Sequence, residues 1–290
     1  MKLSDIRTAL REIRLSPAKT LGQNFLHDQN LARWIINQAQ ITPDDYVVEI
    51  GPGLGALTRF ILEKGAHVLA IEKDARLADF LRTNLRHKRL EILNMDALDF
   101  DPRSLFAHRT VKLLGNLPYN ISSPLLLKFL EQPNPISLWL LMLQKEMAAR
   151  LSASPSTHDY GALTLRVQLH HHVKYLRTVS ATVFFPRPEV GSAVLRILAR
   201  DPLELPQRDD PLLLKLIRAG FSQRRKQLRK LVRQHINDWD TVSRCLNIAP
   251  NARAEELSLP QWIALANSIA PPPRPETGEI GRAHVCTPVT

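Results

Sequence analysis

Asn116, Leu117, Pro118 and Tyr119 follow one another at the end of an apolar run, Val111 to Leu114. The tetrad suits chemistry on the exocyclic amine of a planar base. The Asn side-chain oxygen and the next backbone carbonyl can both accept hydrogen bonds from one NH2 group. Pro118 fixes its own φ and holds Leu117 extended, so that carbonyl is aimed rather than mobile. Tyr119 offers a ring face on which a flipped-out base can stack. Alone, the four residues would serve equally as a strand-ending turn with a structural Asn, and the rest of the chain decides.

The elements needed to position such a tetrad are visible upstream. Val47-Val48-Glu49-Ile50 is an apolar strand running into Gly51-Pro52-Gly53-Leu54-Gly55-Ala56, a glycine-rich turn, and then into a helical pattern ending near Gly65. Glycines allow a tight turn and let the backbone approach a ligand at a helix N-terminus. With Ala56 in the third position the segment also matches the dinucleotide fingerprint G-x-G-x-x-A. Two details lean toward S-adenosylmethionine. Glu49 would repel a pyrophosphate but could organise a loop around a cationic amino-acid ligand, and the glycines are spaced G-x-G-x-G.

A second strand, His67 to Ile71, ends in Glu72, where a carboxylate can take both ribose hydroxyls of an adenosine. A third, Leu90 to Asn94, leads to Asp96, placed to accept from the adenine amine of the cofactor. The fourth delivers the tetrad. Each acid alone is better explained by a solvated loop residue or a helix cap. Their order puts all of them at the C-terminal ends of successive parallel strands, where open α/β sheets bind ligands.

At this point the chain resembles the bacterial 16S ribosomal RNA adenine dimethyltransferases, relatives of the erythromycin-resistance methylases and of eukaryotic 18S dimethyladenosine transferases. The resemblance spans residues 18 to 270. It rests on Gly22-Gln23-Asn24-Phe25-Leu26, Glu49-Ile50-Gly51-Pro52-Gly53 and Gly115-Asn116-Leu117-Pro118-Tyr119-Asn120. It continues in Leu143-Gln144-Lys145-Glu146, Phe184-Phe185-Pro186-Arg187-Pro188-Glu189-Val190, Ser192-Ala193-Val194 and Phe221-Ser222-Gln223-Arg224-Arg225-Lys226, and closes at Asn251 to Ser258 and Leu265-Ala266-Asn267. It implies that Asn24, Leu26, Gly51, Glu72, Asp96 and Asn116 contact S-adenosylmethionine. It also implies that Phe184, or its neighbour Phe185, is the second wall of a base sandwich with Tyr119. Two departures stand in the same loop: Arg187 replaces a commonly seen Pro, and Gly191 a commonly seen Asp.

Composition agrees with a polyanionic partner. There are 39 Lys and Arg against 28 Asp and Glu in 290 residues, a net charge of +11. The excess is spread, 26 against 18 in the first 200 residues and 12 against 8 in residues 201–275, as expected if RNA lies across a cleft between two parts. Cys245 and Cys286 are the two cysteines, too few for a disulfide framework or a Cys-based metal site. The basic N-terminus lacks an apolar core of signal-peptide length, and the longest apolar run, Leu138 to Leu143, falls far short of a membrane span. A reduced cytoplasmic location, no membrane and a monomer are expected. His170-His171-His172 lacks carboxylate or Cys partners at ligand spacing, so no metal is expected.

The fold class that follows is α/β: a Rossmann-like, seven-stranded S-adenosylmethionine-dependent methyltransferase domain over residues 1–200, with a small all-α domain over 201–275. Arg14 to Asn30 is a lead-in lying over the cofactor. Ser123 and Pro124 read as N-cap and first residue of a helix. Ser152 to Tyr160, rich in Ser and Pro, reads as a mobile loop. Val173 to Val179 and Ser192 to Ala199 complete the sheet, and Asp201 to Pro211 is the linker. Leu212 to His235 carries a helical pattern whose Arg224, Arg225, Lys226, Arg229, Lys230 and Arg233 can face phosphates, and a last helix spans Pro260 to Ser268. Residues 276–290 have no apolar periodicity and look foreign to the fold.

The expected reaction is dimethylation of two adjacent adenosines in a hairpin near the 3′ end of 16S RNA, within the small ribosomal subunit and with a role in its biogenesis. Three other readings stay open: the same chemistry on 23S RNA, an RNA-binding assembly factor, and a DNA adenine methyltransferase. The match through Asn251 to Asn267 argues against the first, the intact cofactor set against the second, and the lack of a DNA-reading motif against the third.

Overall fold

The computed structural model describes residues 1–18, 22–108, 111–117, 122–130, 133 and 135–270. Pro118, Tyr119 and residues 276–290 with Cys286 lie outside them. The chain divides into two compact units, residues 1–149 with 172–199, and residues 150–171 with those from 200 onward.

The first unit is built on strands β1 (Phe25–Leu26), β2 (Tyr46–Ile50), β3 (His67–Glu72), β4 (Leu90–Asn94), β5 (Val111–Asn116), β6 (Ile136–Gln144), β7 (His171–Val179), β8 (Phe184–Phe185) and β9 (Ser192–Ala199). Seven of them form one sheet in the order β4-β3-β2-β5-β6-β9-β7. From β4 through β6 all neighbours are parallel, and β9 runs antiparallel to β6. The near-continuous apolar runs explain this arrangement: parallel strands are covered by helices on both faces, so both sets of side chains are buried. Val47, Val48, Leu113, Leu114 and Leu140 are all at most 1% exposed. β3 and β5 flank β2, so connections leave β2 in opposite directions and the C-terminal ends of the central strands are left open to a ligand.

Helices α1 (Leu3–Glu12), α2 (Gln29–Gln38), α3 (Thr58–Glu63), α4 (Ala75–Asn84) and α5 (Ser122–Phe129) belong to this unit, and α6 (Lys145–Ser152) leaves it. α1 is amphipathic, with Ile6, Ala9 and Leu10 on one stripe. That stripe is buried with Phe25, Leu54, Leu77 and Phe80 in a satellite core. Each large side chain fully buried there is worth roughly 1.5–3 kcal/mol. The short strands β1 and β8 pair antiparallel, Phe25 opposite Phe185 and Leu26 opposite Phe184.

The second unit is helical: α7 (Ala162–Gln168), α8 (Asp210–Gly220), α9 (Leu228–Leu231), α10 (Trp239–Cys245) and α11 (Leu259–Ile269). Its core gathers Leu213, Leu216, Ile217, Leu228, Trp262 and Ile263, and takes in Tyr160, Leu165 and Leu169 from residues 150–171.

Four local expectations are corrected. α8 ends at Gly220, so Leu212 to His235 is not one helix. A Cβ on Gly220 would lie 2.5 Å from Trp262 Cη2, and this close approach ends the helix against the ring, with Phe221 to Gln227 leaving as a turn. Ser152 to Tyr160 is pinned at both ends of its turn. Ser156 N–H donates to the Glu255 carbonyl at 2.8 Å and Tyr160 Oη to the Leu257 carbonyl at 2.9 Å. α5 begins at Ser122, ahead of the expected Ser123 cap, and Pro124 falls third in the helix. A first turn tolerates this because its N–H groups have no intrahelical acceptor. β7 starts at His171, two residues before Val173.

His170 and His171 sit in different surroundings. His170 Nε2 sits 3.2 Å from Asp210 Oδ2. The His171 ring is buried, with Nδ1 3.2 Å from the Val167 carbonyl, and burial pulls its pKa down to about 4. No helix among the described residues is long and apolar enough to cross a membrane.

Candidate active site

Above the C-terminal ends of β2, β3 and β5, within the first unit, a cleft of about 740 Å³ (counted out to open solvent) is lined by Asn24, Leu26, Glu49, Gly51, Glu72 and Asn116 among others. Five of the six residues expected to hold the cofactor therefore converge. The sixth, Asp96, follows β4 on the same edge of the sheet but does not line the cleft. Its Oδ1 accepts from Leu98 N–H at 2.9 Å and its Oδ2 from Lys73 Nζ at 2.7 Å. The Lys73 hydrogen bond holds its pKa below the ordinary Asp value.

The glycine turn is shaped by its own geometry. Gly53 has φ +58°, a left-handed conformation that favours glycine, and a Cβ there would press on the Phe25 ring at 3.2 Å. Its N–H donates to Glu72 Oε2 at 3.1 Å, and Asp74 N–H to Glu72 Oε1 at 2.9 Å. Glu72 is thereby oriented, although burial raises its pKa against those two hydrogen bonds.

Glu49, on β2 and 2% exposed, accepts from Thr58 Oγ1 at 2.6 Å, so the strand and the start of α3 are tied across the turn. Burial, opposed by Thr58 and reinforced by the charge of Glu72, pushes Glu49 up to about 7. No Lys, Arg or His lines the cleft among the described residues. Two buried carboxyls without a basic side chain offer a pyrophosphate no counter-charge and suit a cationic ligand better.

Asn116 closes β5. Its Nδ2 donates to the Asn24 carbonyl at 3.0 Å, which fixes the amide and leaves Oδ1 as the acceptor facing away from that bond. Leu117 N–H donates to the Met142 carbonyl at 3.1 Å, and its side chain is buried. Gly115, opposite Ile50, admits no side chain: a Cβ would lie 2.9 Å from the Ile50 carbonyl oxygen and 3.1 Å from Leu117 Cδ2. Gly115→Ala is therefore expected to part β2 from β5 beside the cleft. Urea unfolding should show a loss of about 1–3 kcal/mol, the usual range for overpacking, accompanied by weaker cofactor binding.

Phe184 is 4% exposed and packs in the main core with Leu26 and Val194. Phe185 is half-buried, against the α1 cluster, with the Arg7 guanidinium 5.3 Å from its ring centroid. A second cavity, about 950 Å³ out to open solvent, shares Gly22, Gln23 and Asn24 with the cleft and extends past Gln144 to Pro186 and Val190. Arg224, Arg225, Lys226 and Arg229 are exposed, but in the second unit and mostly in the turn after α8 rather than on a helix. Arg224 Nη2 donates to the His158 carbonyl at 2.6 Å, and Arg229 Nε to Gln227 Oε1 at 3.0 Å.

Three contributors escaped the reading of the sequence. Met1 and, in α1, Ile6 line the cleft, and so does Gln23, which bridges Ala18 N–H to Asp74 Oδ2. The i, i+3, i+4 stripe of α1 was the available signal for a buried face there.

A seven-stranded, doubly wound sheet with strand-end carboxylates and an Asn closing its central strand defines the Rossmann-like methyltransferase class. The description of ribosomal RNA adenine dimethylase matches residues 15–271 as a family model. The chain belongs to that family. It is 36% identical to a ribosomal RNA small subunit methyltransferase A of Alkaliphilus metalliredigens, over 92% of this chain and 96% of that one. To the protein of the same name from Thiobacillus denitrificans it is 41% identical, over 88% and 98%. Among solved structures it resembles the 23S rRNA methyltransferase ErmE, with TM-score 0.71, 26% identity and coverage of 85% and 99%. A dimethyladenosine transferase from Plasmodium falciparum shares the fold, with TM-score 0.68, 24% identity and coverage of 83% and 95%.

Proposed function

We propose that this protein transfers methyl groups from S-adenosylmethionine to the exocyclic amines of two adjacent adenosines near the 3′ end of 16S ribosomal RNA, in the small ribosomal subunit. The observation that carries the reading is the fixed amide of Asn116 in the lining of the cleft, whose Oδ1 is left as an acceptor. The relatives named for small-subunit RNA, rather than ErmE, match at the higher identity and favour that substrate.

Gly51, Leu26, Asn24, Glu72 and the neutral-to-anionic Glu49 would hold the cofactor, with Asp96 reaching the adenine from beyond the cleft. When bound, S-adenosylmethionine supplies an electrophilic methyl group. The chain has then to orient the acceptor amine and exclude water. Asn116 Oδ1 and the Leu117 carbonyl would accept the two amine hydrogens, which favours a pyramidal nitrogen with its lone pair directed at the cofactor. Pro118 would fix the carbonyl, and Tyr119 would stack the base against Phe184 or Phe185. An alkylated amine loses its proton readily, so no strong base is needed, and orientation with electrostatics supplies most of the rate. Paired Phe184→Leu and Phe185→Leu variants tell which ring is the wall. The second unit, with Arg224, Arg225, Lys226 and Arg229, would engage RNA phosphates.

The test is methyl transfer from labelled S-adenosylmethionine to small subunits lacking the modification, with mass analysis of the nucleosides. Dimethyladenosine in small-subunit RNA is the expected product. Transfer only to large-subunit RNA or to DNA would overturn the substrate, and no transfer to any of them would favour an assembly factor.

A further inference from the structure

We propose that Arg187 and Lys145 form a phosphate grip at the mouth of the second cavity of the first unit, holding the RNA backbone on either side of the nucleotide that enters it. The inference rests on the reading above that an adenosine enters beside Asn116.

A base turned into a cavity leaves its phosphates at the rim, because the sugar–phosphate chain cannot follow it in. The rim here is the loop Pro186–Val190 on one side and the end of β6 on the other, joined where Lys145 N–H donates to the Gly191 carbonyl at 3.0 Å and Ser192 pairs with Gln144. Arg187 lines this cavity, is exposed, and has no hydrogen-bond or ion-pair partner among the described residues. Lys145 follows Gln144, which lines the cavity, and its own side chain is exposed and unpaired among the described residues.

Their neighbours near the cofactor cleft are committed: Lys73 to Asp96, Arg76 to Asp74, and Arg7 to the Phe185 face. A committed cation must break its own contact before it meets a phosphate, whereas Arg187 and Lys145 need not. Prolines on both sides of Arg187 restrict its backbone, so less freedom is lost when the guanidinium is fixed. Arg187 offers a planar fork to a phosphate and Lys145 a point charge.

The experiment measures equilibrium binding of unmodified small subunits by the full chain and by R187Q, K145Q and the double variant, across a salt series, with S-adenosylmethionine affinity measured in parallel. The double variant should bind about tenfold more weakly at moderate salt. Each substitution should reduce the slope of log affinity against log salt by about 1, and R187K should keep the slope. Cofactor affinity equal to that of the parent chain certifies the fold of each variant. Unchanged affinity and slope in the double variant overturn the grip. Failure of the underlying reading is seen separately, as a parent chain that binds subunits with the expected slope yet transfers no methyl group to their RNA.

Discussion

Asn116→Ala is expected to lower the turnover of adenosine methylation by about 10²–10³-fold, the usual cost of removing one preorganised polar group at a reacting centre. Subunit affinity should stay within about twofold, since one neutral amide contributes little beside the phosphate contacts. The geometry explains why the loss falls on turnover. Asn116 Nδ2 is held by the Asn24 carbonyl, so the side chain arrives already oriented and its removal takes away Oδ1 together with a tie between β5 and the Gly22–Leu26 segment. Asn116→Asp separates the two roles. It keeps an acceptor but sets a carboxylate oxygen against the Asn24 carbonyl, and should lose cofactor affinity as well as turnover. Single-turnover kinetics on small subunits, with separately measured cofactor binding, checks both. Normal turnover in Asn116→Ala would sink the assignment.

The second large effect concerns pH. Glu49 in the free protein is raised to about 7 by burial. A cationic ligand in the cleft favours the ionised form, so its binding expels a proton wherever Glu49 is protonated beforehand. Between about pH 5.5 and 7, S-adenosylmethionine affinity should rise with pH, by up to about tenfold per unit, and level off above. The α-amino group of the ligand, ordinarily near 7.7–8.0, titrates above this window, while that of Met1, which also lines the cleft, is lowered by burial and is the same in the Glu49→Gln comparison. Glu49→Gln keeps an acceptor for Thr58 Oγ1 and should bind with little dependence on pH over the same range. Calorimetry in buffers of different ionisation enthalpy should find about one proton released per cofactor bound at pH 6 in the parent chain and none in the variant. A flat profile in the parent chain would refute the role.

Stability moves the opposite way in the free protein. Because the folded pKa of Glu49 lies above its unfolded value of 4.5, the stabilisation from keeping it protonated is complete below pH 4.5 and is lost as pH rises through 7. The loss amounts to about 3 kcal/mol at most, taking 1.36 kcal/mol per unit.

What could be foreseen follows from the range of the forces involved. The strand-end groups Glu72 and Asn116 were legible because each terminates its own strand, and a strand's direction carries its last residue to the ligand edge, whereas Asp96, two residues past the end of β4, stays outside the cleft. The role of α1 in lining the cleft was not, because Leu54, Leu77 and Phe80, which receive its stripe, lie far along the chain. The end of α8 at Gly220 depends on the Trp262 ring, and the order in Ser152 to Tyr160 on carbonyls of Glu255 and Leu257. Local composition carries no trace of such partners. The burial of Phe184 is set by its pairing with Leu26, which the motif around it does not specify.

The path of the chain through its two units bears on how such a protein can be altered. Residues 150–171 leave the first unit, help build the second, and return before the sheet is complete. The helical body is therefore no terminal cassette. A cut at residue 200 would spare every strand of the sheet yet strip Tyr160, Leu165 and Leu169 of the side chains that bury them. Exchange of this body between relatives has to replace two stretches of sequence together, and a graft of the later stretch alone would set one protein's helices against another's foundation.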